Sequence, residues 1–253
     1  MKRFMASFVA AMFVFGASQA YALNFGDNIT IPDLIGSGTG WEGAQEDQET
    51  EPGTVHTQAW DLEAFFLDDA ELTMVGGYDF VNGLQGITSG DIFIDVTGDA
   101  KYGPGNDRTG YNYSTVNNVF GYDYVLDLDF ATLTYNILAI NKDTKVQTVH
   151  ESINQESNAW RYVSGGDLIG SGSIAYLTGL SNTQTGLTGG LHNAATVDLG
   201  FLGDNIEFTA HFTMGCGNDN LMAKGVTATP EPSTVLLLGL GLVGTAGMIR
   251  RKK

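Results

Sequence analysis

The chain has 253 residues with 29 Asp+Glu against 12 Lys+Arg, giving a formal net charge of −17 at pH 7. Six of the basic residues sit at the two termini, so the stretch between them keeps 28 acids against Lys101, Arg108, Lys142, Lys145, Arg161 and Lys224. A surface that acidic repels phosphates and anionic lipid headgroups, which excludes nucleic acid as a partner.

In chain order, the first element is an export signal. Lys2 and Arg3 form a basic start, residues 8–16 are apolar, and Ala20 and Ala22 flank Tyr21 in an A-x-A cleavage pattern. This is the layout of a secretory signal peptide over residues 1–22, which predicts an apolar signal helix that signal peptidase removes after the export translocon has engaged it. The mature body starts at Leu23 and lies outside the cytoplasm.

The body, 23–226, reads as β throughout and is of a size for one domain. Residues 36–53 are polar, acidic and glycine-rich, and are expected to form a surface loop. Strands are expected at 61–67, 71–75 and 91–96, the last with Ile92, Ile94 and Val96 on one face. Further strands are expected at 122–130, 133–139, 146–150, 159–163, 173–177, 196–201 and 206–214. The last has Ile206, Phe208, Ala210, Phe212 and Met214 alternating with Glu207, Thr209, His211 and Thr213. Gly76-Gly77, Asn82-Gly83, Gly165-Gly166-Asp167 and Gly203-Asp204-Asn205 separate these runs as turns. A second loop is expected at 181–193. Helical periodicity is nearly absent from the body. Many short strands with glycine-rich turns predict an all-β fold, a β-sandwich or jelly roll.

The last element, 227–253, carries Pro230-Glu231-Pro232, an uncharged apolar run over 233–249, and then Arg250, Arg251, Lys252 and Lys253. At about 1.5 Å per helical residue the run spans roughly 25 Å, near the lower limit for a single transmembrane helix. The four basic residues stop transfer and keep the C-terminus in the cytoplasm.

This order of Pro-Glu-Pro, span and basic end resembles the PEP-CTERM sorting signal of exported proteins from Gram-negative bacteria that make extracellular polysaccharide. The resemblance implies that exosortase, a membrane-embedded cysteine-type transpeptidase, reads Pro230, Glu231 and Pro232 and removes the tail. The helix is then a transient inner-membrane anchor, and the destination is the cell surface or the extracellular matrix, with extracellular polysaccharide as a further candidate partner. Within the body, GTGWEGAQEDQETEPG, QAWDLEAFF, SGDIFIDVTGDAKYG and HFTMGCGNDNLMAKG are similar to stretches of exosortase-dependent surface proteins. That resemblance implies a β-rich body without an assigned enzymatic activity and transfers no site residues.

Signatures of chemistry are sparse. No G-x-S-x-G, H-E-x-x-H, C-x-x-C or P-loop occurs. His56, His150, His192 and His211 have no zinc-like spacing, and His211 falls on the polar side of its strand, where a solvated imidazole is expected. Cys216 is the lone cysteine, so no intramolecular disulfide forms; a buried small hydrophobe is the expected role. Asp127 and Asp129 share a strand face, which glycosidase chemistry requires of its two carboxyls but which an acid-rich chain produces by chance.

Two ligand readings remain as alternatives to a purely structural body. Asp95, Asp99, Asn106 and Asp107 bracket the glycine-rich stretch DVTGDAKYGPGND, where calcium is the one candidate cofactor, against a plain turn role for the same residues. Trp41 lies in the acidic loop beside Gly40 and Glu42 and is a candidate platform for a sugar ring. Trp60 and Trp160 are expected in the core.

Overall fold

The computed structural model describes residues 22–32, 45–50, 54–100, 115–117, 120–148 and 160–228. Within them the chain is an antiparallel β-sandwich. The first sheet takes β1 (Asp27–Asn28), β2 (Leu62–Asp68), β3 (Glu71–Gly76), β12 (Leu191–Asp198) and β11 (Ala175–Ser181), in that order. The second takes β10 (Asp167–Ser173), β7 (Thr134–Ala139), β6 (Tyr124–Asp129), β4 (Ile92–Asp95), β13 (Glu207–Thr213) and β14 (Asn220–Val226). A small third sheet pairs β5 (Thr115–Asn117), β8 (Lys145–Thr148) and β9 (Trp160–Ser164). The all-β sandwich expected from the alternating pattern is therefore what forms.

The main core lies between the two large sheets. Leu72 and Met74 of β3, Ile92 and Ile94 of β4, and Phe208, Ala210 and Phe212 of β13 all point into it, as period-two alternation requires. Tyr78, Phe80, Phe130 and Phe212 form an aromatic chain, with Phe80 5.9 Å from Tyr78, 6.0 Å from Phe130 and 5.8 Å from Phe212. Each such ring removed from water contributes about 1.5–3 kcal/mol. Cys216 and Trp60 are buried in this core, as expected for both.

Two crossings stitch the sheets together. At one edge, Asp27 and Asn28 pair with β2, after which Thr30 bridges Ala223 and Ile31 N donates to Met222 O of β14 at 2.8 Å. At the other, the chain passes from β10 to β11 through Ile174, whose N–H donates to Leu133 O at 2.8 Å. A crossing strand uses the edge N–H and C=O groups that would otherwise invite pairing with another chain.

Several expectations are corrected here. The strand expected over 173–177 is the junction between β10 and β11, and β10 itself hid in the glycine-rich DLIGSGS. β14 (Asn220–Val226), with Gly225 and Lys224 in it, had no clear alternation and pairs with β13 throughout. Residues 181–193 are not an open loop: Ser181 ends β11, α1 (Asn182–Thr185) makes one turn closed by a Ser181–Gln184 capping box, and β12 begins at Leu191. β12 ends at Asp198, and Gly200–Leu202 forms a 3₁₀ turn.

His211 is not solvated either; it is fully buried. The outer face of the second sheet carries a second core of Phe93, Phe120, Tyr122, Val125 and Val146, the last contributed by the small third sheet. His211 packs edge-on against Phe93 and Tyr122, 6.0 and 6.2 Å between ring centroids. Phe93 and Val125 stood in the polar rows of their strands, and those two exceptions were the visible sign of a covered face.

Candidate metal centre

The 3₁₀ turn Gln58–Trp60 leads into β2, and Asp61 sits between them, fully buried. β2 begins with a bulge: Leu62 pairs with Gly76 and Ala64 with Val75, leaving Glu63 as the extra residue. The bulge turns Glu63 to the outer face of the first sheet. There Glu63 is bonded to His192 Nδ1 through Oε2 at 2.6 Å and accepts from Gln58 Nε2 through Oε1 at 2.6 Å. His192 is held in turn by Asn182 Oδ1 at 3.0 Å. Burial raises the Glu63 carboxyl, and its His192 contact opposes that rise only in part.

At the same end of the sandwich, β13 and β14 are joined by a tight turn. Gly217, at φ +71°, closes it with its N–H on Met214 O at 2.9 Å, a conformation costly for a side-chain-bearing residue. The turn delivers Asn218 and Asp219, both buried. Asn218 holds the backbone of Val55 from both sides, accepting from its N–H at 2.9 Å and donating to its C=O at 3.1 Å. Asp219 accepts from Leu62 N at 2.6 Å and from Asn220 N at 2.8 Å.

Residues 45–50, part of the expected surface loop, fold inward against this corner. A turn closes with Glu49 N donating to Glu46 O at 3.0 Å, and Gln48 takes φ +64°. Glu46, Glu49 and Thr50 are buried. Asp47 clasps Thr188, accepting from its N–H at 3.0 Å and its hydroxyl at 3.0 Å. Gln48 N donates to Asp61 Oδ2 at 3.2 Å.

The result is a convergence of acids from three separate segments. One carboxylate oxygen each of Glu46, Glu49 and Asp219 lies within 4.8 Å of the others, and all three residues are buried. Asp61 lies against the same turn; its Oδ1 is buried and has no hydrogen-bond partner. Burial, then the charges of Glu63, Asp47 and Glu49, push the Asp61 carboxyl up to about 10. Burial, then Glu49, Asp61 and Glu46, hold Asp219 well above the usual carboxylate range. Buried like charges at this spacing cannot all ionise without a counter-charge. The donor set is all oxygen, which suits a hard cation such as calcium rather than zinc or copper.

The described residues among those singled out from sequence fall elsewhere. Asp95 is buried at the end of β4, where Oδ1 accepts from Thr97 N at 2.9 Å, Thr97 Oγ1 at 3.1 Å and Gly98 N at 3.0 Å, and Oδ2 from Ala100 N at 3.0 Å. Asp99 is brought to it through Thr97, whose hydroxyl also reaches Asp99 Oδ1 at 2.8 Å. Asn106, Asp107 and Trp41 lie outside the described residues, as do Ala20, the Pro230-Glu231-Pro232 motif and the basic end Arg250, Arg251, Lys252 and Lys253. Ala22 is exposed at the start of the described body. Asp127 is half-buried and Asp129 exposed.

No spacing rule finds Glu46, Glu49, Asp61 and Asp219, because tertiary contact alone brings them together. The one legible sign was acids placed where apolar strands begin, in AWDLEAFF and GNDNLMA.

Residues 228–252 match the family described as the PEP-CTERM protein-sorting motif. No curated protein and no solved structure matches the chain. Among the described residues, no helix is long and apolar enough to cross a membrane.

Proposed function

We propose that this is a non-enzymatic protein of the cell surface or extracellular matrix, delivered there by exosortase cleavage at Pro230-Glu231-Pro232. The chain carries a PEP-CTERM motif and is therefore an exported protein sorted through exosortase. What supports the finer reading is how the body meets the signal. Among the described residues the last backbone hydrogen bonds are Thr227 N to Ile206 O at 3.0 Å and Ala228 N to Asp69 O at 3.0 Å, and the matched motif begins at residue 228. Every strand among the described residues lies before the matched motif, β14 ending at Val226, so we expect the sandwich to keep its strands when the tail is removed. Such a body serves as cargo whose fold outlasts its anchor.

The test is intact mass of the protein from the envelope and the medium of its host, with and without a working exosortase. The expected result is a chain ending near Pro230–Pro232 in the first case and running to Lys253 in the second. A chain running to Lys253 in both would make the tail a permanent anchor and overturn the reading. Absence of turnover on host polysaccharide by the recovered protein checks the non-enzymatic part.

A further inference from the structure

We propose that Glu46, Glu49 and Asp219, with Asp61 beside them, form a calcium site that staples residues 46–50 to the β13–β14 turn. The proposal concerns the folded body and does not depend on how the tail is processed.

Distance is the first support. Calcium–oxygen bonds of about 2.3–2.6 Å put ligand oxygens on opposite sides of one ion up to about 5 Å apart. The Glu46, Glu49 and Asp219 oxygens, all within 4.8 Å of one another, can therefore share one ion. Asp61 is a second and independent support. Its carboxylate rests on the turn carrying Glu46 and Glu49, through Gln48 N and Oδ2 at 3.2 Å, while its buried Oδ1 has no donor. A buried carboxylate oxygen without a partner is costly, and a cation bound there removes that cost.

The frame around the acids is fixed by neighbouring contacts. Asn218 is locked to Val55, Asp47 to Thr188, and Thr213 Oγ1 donates to Asp219 O at 2.7 Å. Three carboxylates and a fourth beside them favour calcium over magnesium. Magnesium demands strict octahedral geometry and keeps several waters, whereas calcium accepts an irregular carboxylate cage.

The exported chain, stripped with EGTA, is titrated with calcium chloride by calorimetry and followed by thermal melting. One ion per chain is expected, with a Kd between about 10⁻⁶ and 10⁻³ M. The melting point should rise by about 5 °C or more at saturation, and magnesium should bind at least about tenfold more weakly. Glu49→Gln and Asp219→Asn should each weaken calcium at least about tenfold. Asp95→Asn should leave it unchanged, because that carboxylate is already filled by its own loop. If Asp219→Asn does not fold, Glu49→Gln on the turn decides, and competition against terbium emission reads the same site. No heat and no melting shift up to about 10 mM calcium would overturn the proposal. So would wild-type affinity in Glu49→Gln, or loss of binding in Asp95→Asn alone.

Discussion

Asp95 and Asp219 are both buried aspartates at strand ends of the same sandwich, yet their surroundings differ in kind. Asp95 is closed by its own loop: Thr97, Gly98 and Ala100 all point donors at it within five residues. Asp219 receives two backbone donors, but its other neighbours are Glu46, Glu49 and Asp61. A buried carboxylate is cheap when backbone N–H groups surround it and costly when other carboxylates do. The acid that looked like a ligand in the sequence has spent its lone pairs on a turn, whereas the acids that look poised for a ligand were hidden in three distant segments.

That contrast can be broken from the Asp95 side first. Asp95→Ala strands three backbone donors in a buried loop and should cost about 3 kcal/mol in urea unfolding, with or without calcium. A loss that calcium restored would mean that Asp95 belongs to the metal site.

The second effect is a pH dependence. Asp91 is buried, accepts from Leu128 N at 3.2 Å and Tyr162 N at 3.0 Å, and is pushed up to about 7 by burial and then by Asp127, with Arg161 opposing. Its folded value lies above its unfolded value, so its contribution to stability is full below about pH 4 and is lost as pH rises through 7. Between pH 5 and pH 8 this loss should be on the order of 2 kcal/mol. Asp91→Asn, which cannot ionise, should flatten that part of the curve, and an unchanged slope in the variant would assign the loss to other groups.

A smaller effect is expected at Glu63, the acid beside the cluster that is bonded to a histidine. His192→Ala leaves Glu63 Oε2 buried without its donor and should cost about 1.5 kcal/mol, read as a lower urea midpoint. Least in size but most telling in sign is Glu49→Gln. In chelator it removes one charge from a crowd and should gain up to about 1 kcal/mol; in calcium it should lose stability relative to the parent. The same sign in both conditions would erase the difference between the two aspartates.

The sorting signal and the sandwich were readable because both are written locally. Pro230-Glu231-Pro232, the apolar run and the basic end are contiguous, and period-two alternation in 206–214 places Phe208, Ala210 and Phe212 inward whatever they pack against. β10 and β14 were not readable: Gly170, Gly172 and Gly225 carry no side chain to show a face, and pairing with β7 and β13 made them strands. The solvated His211 failed because a third layer covers its face, and nothing within 206–214 reports a layer built from Val146.

Local sequence thus determined that this chain carries a PEP-CTERM sorting signal and that its body is a β-sandwich, since sorting signals and strand faces depend on neighbours in the chain. The acidic centre was decided by tertiary structure alone. A turn at 46–49, a residue before β2 and a hairpin before β14 meet only because Asn218, Asp47 and Leu62 lock three segments to one corner. Convergence of charge across 173 positions has no signature in spacing, because it is the fold that sets those distances.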